Sequence, residues 1–136
     1  MRFVLIIMMI ILFSCKKEDP YIWKELEVKA TAYNSTKAQT FGNPSIAAWG
    51  DTLKPGMKCI AISRDLIALG IQHNTPVKIE GLDGIFLVKD KMHRRKRKQI
   101  DIYLGKDIKK AKAWGVKRLK IKYGLLKSEL PNDSVR

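Results

Sequence analysis

The chain has 136 residues, one domain's worth, with 27 Lys and Arg against 13 Asp and Glu and a formal charge of +14. Two cysteines give no disulfide framework, and no group of His, Cys and carboxylates has metal-ligand spacing, so neither metal nor cofactor is expected. A charge this positive calls for polyanions; nucleic acid would come first in a cytosolic chain, and the N-terminal segment argues against it.

That segment is Met1-Arg2 followed by eleven apolar residues, 3–13. A spanning helix needs about 20 apolar residues, so this is the length of a signal-peptide core behind a minimal positive start. Leu12-Phe13-Ser14-Cys15 then resembles the lipobox of bacterial lipoproteins. The resemblance implies cleavage before Cys15 and acylation of that residue, which anchors the chain to a membrane because each buried methylene contributes about 0.8 kcal/mol. Residues 1–14 are thus expected to be a lipoprotein signal peptide and 15–25 a lipidated tether. Lys16-Lys17-Glu18-Asp19-Pro20 is similar to the surface-export signals of Bacteroidetes lipoproteins. Cleavage removes only Arg2, leaving about +13. The expected location is the cell envelope, lipid-anchored in the outer membrane on its periplasmic or surface face. The expected polyanions are lipopolysaccharide phosphates, lipid headgroups and the stem-peptide carboxylates of peptidoglycan, with no nucleic acid.

Leu26, Val28, Ala30 and Ala32 alternate with polar residues, the period of a half-buried strand over 26–33. Residues 34–56, rich in Gly, Pro, Ser, Thr and Asn, read as a loop too long for mere connection, with a functional or covering role. A second strand follows at 59–63, where Cys59 is a small core hydrophobe. Residues 64–69 form one helical turn closed by Gly70. Strands at 76–80 and 84–89 flank the turn Leu82-Asp83-Gly84. Residues 91–98 carry six Lys or Arg in eight positions. A fifth strand covers 99–104. A short helix covers 106–114, with Ile108, Ala111 and Trp114 on one face and Gly115 after its end. A sixth strand at 116–123 keeps Leu119, Ile121 and Tyr123 in alternation, and residues 125–136 are a flexible tail. His73 and His93 stand alone as loop residues. Trp49 and Trp114 read as packing residues rather than sugar platforms, with Trp49, in the polar loop, the better platform candidate of the two. Six short strands must hide their edges, and a small closed barrel over 26–124 does so.

Thr31-Ala32-Tyr33, Ile60-Ala61-Ile62-Ser63, Val88-Lys89-Asp90, Ile100-Asp101-Ile102-Tyr103-Leu104-Gly105 and Ala113-Trp114-Gly115 together resemble the three-aspartate ("3D") domain. That domain is a double-psi β-barrel, similar to the C-terminal part of membrane-bound lytic transglycosylase A and related to the barrels of rare lipoprotein A and expansins. The resemblance implies a mainly β chain, a six-stranded double-psi β-barrel with one or two short helices. It covers about residues 28–123 and is most specific at Asp90 and Asp101, eleven apart. Two departures stand out. The family's first aspartate falls on Ser63, with Asp65 two residues on. Its glycine-rich loop is replaced by Lys91-Met92-His93-Arg94-Arg95-Lys96-Arg97-Lys98.

The resemblance implies that Asp101 is the acid and then the base of a lytic transglycosylase, cleaving the bond between N-acetylmuramic acid and N-acetylglucosamine without water. Asp90 would be its catalytic neighbour, raising its pKa by like charge, while loop cations would lower it. Asp90 could instead hold backbone amides where strands cross. Thr31, Tyr33, Asp65, Arg94, Arg95 and Lys96 are candidates for binding substrate. The alternative is a non-catalytic module for peptidoglycan or surface polyanions, since a single barrel has no second domain to deepen its groove.

Overall fold

A computed structural model describes residues 17–34 and 46–131. The expected signal peptide and lipid-bearing Cys15 lie outside the described residues. Six strands form one closed barrel: β1 (Tyr21–Tyr33), β2 (Cys59–Ile62), β3 (Pro76–Ile79), β4 (Phe86–Lys91), β5 (Gln99–Tyr103) and β6 (Lys117–Leu126). The order around the barrel is β1-β5-β2-β4-β3-β6, closed by β6 on β1. Two pairings are parallel, β1 with β5 and β2 with β4, and the other four are antiparallel. A parallel pair needs a crossover rather than a hairpin. The two crossovers give the expected double-psi type of barrel, mainly β with short helical pieces.

Alternation decides which side chains fill the barrel. On β5, Ile100 and Ile102 are buried and Asp101 lies between them on the outer face; on β6, Leu119, Ile121 and Tyr123 are buried and Lys120 and Lys122 exposed. Val28, Ala30, Ile60, Ile62, Val77 and Val88 complete the interior. β-Branched residues dominate it because they suit a pleated, packed surface.

The turn at Arg64–Leu69 is a 3₁₀ helix ended by Gly70 at φ 89°. A Cβ there would stand 2.9 Å from Leu125 Cδ2, so glycine serves both the left-handed turn and the close approach. Helix α1 (Ile108–Trp114) is capped by Asp107, which accepts from the Lys110 amide at 2.9 Å. Ala111 is buried and Trp114 packs on the core, but Ile108, expected on the same face, is 42% exposed. About two turns of helix are too short to bury both ends of the stripe.

The barrel extends past both expected boundaries. β1 begins at Tyr21, inside the expected tether, because residues 21–25 pair with 122–126 of β6. Asp19 starts that ladder by accepting from Tyr21 N at 2.9 Å and Trp23 Nε1 at 2.6 Å. Beyond β6 a 3₁₀ turn at Lys127–Glu129 is tied back by Lys127 N to the Pro20 carbonyl at 3.0 Å. Lys24 and Glu25 interrupt the apolar alternation, so pairing rather than burial sets this part of the strand.

Ser63, where the three-aspartate resemblance leads one to expect an acid, has a structural role. It is fully buried, its Oγ accepts from Gln99 N at 2.9 Å, and its own amide donates to the Gln99 carbonyl at 2.9 Å. It stitches β2 to the start of β5. Ser63→Ala is expected to cost about 1–3 kcal/mol in urea unfolding, the penalty for leaving the buried Gln99 amide unsatisfied.

Candidate functional site

The register places Thr31 of β1, Asp101 of β5, Ala61 of β2 and Asp90 of β4 side by side in one row across four adjacent strands. Residues in register point to the same face, so two carboxylates flank one alanine methyl. Two strand steps of about 4.8 Å put the Asp90 and Asp101 backbones roughly 10 Å apart. A register shift between Ile60 and Ala61 brings Asp90, rather than Lys89, opposite Ala61. Above the row lies an open cleft of about 360 Å³. Ala61, Asp90 and Asp101 line it together with Ala32, Tyr33 and Asn34 from the end of β1. Lys91, Met92, His93 and Lys96 form its remaining wall.

The two aspartates have different surroundings. Asp90 Oδ1 accepts from Ala48 N at 2.7 Å and from Lys91 N at 2.8 Å. It clamps the segment at 46–53 to the barrel, which is the backbone-holding role left open by the sequence. Asp101 Oδ1 accepts from the Thr31 hydroxyl at 3.0 Å. Burial pushes the Asp101 carboxyl above its ordinary value of 3.8, and the Asp90 charge adds to this; the Thr31 hydrogen bond and the Lys96 charge oppose it without reversing it.

Thr31 does not line the cleft. Its hydroxyl donates to Asp101 and accepts from Gln99 Nε2 at 3.0 Å, so Gln99, Thr31 and Asp101 form a relay that fixes the carboxylate's rotamer. Thr31→Val removes the donor while keeping the shape. Its expected effect is a further rise of the Asp101 pKa, read from the carboxyl carbon shift in an NMR titration.

Tyr33 lines the cleft. Its hydroxyl is buried without a hydrogen-bond partner among the described residues, and burial, then the Asp90 charge, pushes its pKa up. Asp65 lies elsewhere: it is exposed, and its Oδ2 accepts from Lys98 N at 2.9 Å at the base of the basic turn. Arg94 and Arg95 are exposed and do not line the cleft. Lys96 does, because the turn closed by Lys96 N to the His93 carbonyl at 2.9 Å folds it back. Sequence reasoning missed Ala61, Asn34, Lys91, His93 and the positioning residue Gln99. Ala61 had no signal of its own; only strand pairing shows that it separates the two acids.

Trp49 is not a free platform. Its ring stacks on His73 with centroids 5.2 Å apart, and Lys91 Nζ stands 4.7 Å from its centre. His73 in turn pairs with Asp51, which also holds Lys89 Nζ at 3.0 Å. This network packs the 46–53 segment beside the cleft. Cys59 is buried under that segment with Ala47, Leu53 and Tyr103, and burial raises its thiol to about 11, so it is an unreactive core residue. Among the described residues no group of three or more His, Cys, Asp or Glu could hold a metal.

Fold and site together define a small, basic, closed six-stranded β-barrel with an acid-floored cleft on its outer face. No family model matches the chain, and no curated protein matches it. Among solved structures it is similar to an expansin of Clavibacter michiganensis. A mutant of that expansin in complex with cellohexaose has 17% identity and a TM-score of 0.46, and the apo form 18% and 0.45. Each match covers 79% of this chain and 54% of the other, so this chain spans about half the length of the structures it matches.

Proposed function

We propose that this chain is a lipid-anchored cell-envelope protein whose barrel binds a glycan strand of peptidoglycan in the Asp101 cleft. The observation that carries the reading is the row Thr31–Asp101–Ala61–Asp90, which sets the Asp101 carboxyl beside a small methyl floor in an open cleft. Sugar hydroxyls need hydrogen-bond partners on a shallow surface, and Asp101, Asn34 and Tyr33 line that surface. Lys91 and Lys96 on the rim suit the carboxylates of stem peptides. The lipobox at Cys15 supports a tether to the outer membrane.

Binding without turnover is the leading reading because Asp90 is engaged by two backbone amides. A hydrolase of the common type needs two working carboxyls. The raised pKa of Asp101 favours a second reading, lytic transglycosylase-like cleavage, in which that one residue is acid and then base. Incubation of the protein with purified sacculi separates the two. Co-sedimentation without product is the expected result. Release of anhydro-muropeptides that disappears in Asp101→Asn would establish the second reading, and neither binding nor release would end both.

A further inference from the structure

Arg97 and Lys98 turn away from the cleft. They meet Lys29 of β1 and Arg118 of β6 in a separate hollow of about 210 Å³, which Glu27 and Val28 also line. Four cations from three segments thus face one carboxylate. The β1–β6 ladder makes the placement pointed. At two positions it sets opposite charges across from each other, Glu25 with Lys122 and Glu27 with Lys120, but at the hollow it sets Lys29 against Arg118. Like charges directly across a sheet are destabilising, and here the basic turn adds two more. Among the described residues none of the four joins an ion pair within 4.0 Å, whereas Lys120 reaches Glu25 at 3.0 Å and Lys89 reaches Asp51 at 3.0 Å.

The hollow is also held in shape. Arg97 Nη1 donates to the carbonyls of Arg94 and Lys96, and Lys98 N donates to Asp65 Oδ2. Asp65 therefore supports the turn from behind, its carboxyl lying below 3.8: burial opposes this, but hydrogen bonds from Ser63 and Lys98 and the Arg97 charge outweigh it. Two guanidinium groups and two ammonium groups around one concavity match the oxygens of a phosphate group better than those of a neutral sugar.

We propose that Lys29, Arg97, Lys98 and Arg118 form a phosphate-binding site, distinct from the Asp101 cleft. Its ligand is a phosphate group, borne either by a lipid headgroup or by a soluble phosphate compound. The test titrates the full-length chain in nonionic detergent with inorganic pyrophosphate, followed by NMR. Saturable shifts at the Lys29, Lys98 and Arg118 amides are expected. Arg118→Gln and Arg97→Gln should each weaken binding about tenfold, the loss of one charge-assisted hydrogen bond. Lys109→Gln, an equal loss of charge on the exposed face of α1, should change it less than twofold. Asp101→Asn should leave it intact, so its outcome is independent of the glycan reading. Displacement of pyrophosphate by phosphatidylglycerol micelles, but not phosphatidylcholine micelles, identifies the headgroup as the source; no displacement by either identifies a soluble phosphate. Absence of saturable shifts at millimolar pyrophosphate, or equal weakening by Lys109→Gln, overturns the site.

Discussion

Asp101→Asn is expected to weaken binding to sacculi at least tenfold while making the barrel more stable at neutral pH. Asparagine keeps the shape of the side chain and an acceptor for the Thr31 hydroxyl 3.0 Å away. It loses the ionisable carboxyl, whose hydrogen bonds to a ligand are worth about 1.5–3 kcal/mol, or roughly ten- to a hundredfold in affinity. The gain in stability follows from proton linkage. The native carboxyl has a pKa above 3.8, chiefly through burial, so between 3.8 and the raised value the folded state holds more protons than the unfolded one. Stability conferred at this position therefore falls as pH rises through that window, and the loss is complete above it. Asparagine does not titrate. The variant should draw ahead of wild type in melting temperature as pH rises through the window, keep its lead at pH 7, and converge with wild type below 3.8. A lead that grows on acidification would mean that the carboxylate is favourably paired in the native state.

The second large effect concerns the fold alone. Ile121 is 1% exposed and faces Leu26 on one neighbouring strand and Ile79 on the other, where β6 closes the barrel between β1 and β3. Ile121→Ala should cost about 2–5 kcal/mol, the transfer term of the lost methyl groups plus the cavity they leave. Small domains have roughly 5–15 kcal/mol in all, so urea denaturation should show a marked fall in midpoint without a change in slope. Lys122, the next residue, points outward, and Lys122→Ala should stay within about 0.5 kcal/mol. Equal costs at the two positions would contradict the inward and outward assignment of β6. Because Ile121 does not line the cleft, the folded variant should bind sacculi like wild type.

Much of the fold was legible because one periodicity controls it. Strands with an inner and an outer face must alternate, and β2 to β5 fall within a residue or two of their expected bounds, while β6 runs three residues further, to Leu126. β1 was only partly legible. Its first five residues obey pairing with β6, a long-range constraint that leaves no pattern in Tyr21-Ile22-Trp23-Lys24-Glu25 itself. The outward carboxyl of Asp101 was readable from Ile100 and Ile102 on either side. The different role of Asp90 was not, because the amides it accepts belong to Ala48, 42 residues away, and to the bulged backbone at Lys91. The basic run shows the same limit. Six cations within eight positions look equivalent, yet one turn sends Lys96 over the cleft and Arg97 and Lys98 to a separate hollow, and leaves Arg94 and Arg95 outside both. Turn geometry, not composition, assigns their work.

The most direct test is an NMR titration of the isotope-labelled protein with a soluble muropeptide oligomer. A glycan seated on the carboxyl floor should shift Ala61, Asp101 and His93 in a saturable way, leave α1 unmoved, and lose these shifts in Asp101→Asn. Saturable shifts confined to α1 or to the β3–β6 face, with Ala61 and Asp101 unchanged, would contradict a glycan cleft at the Asp101 row.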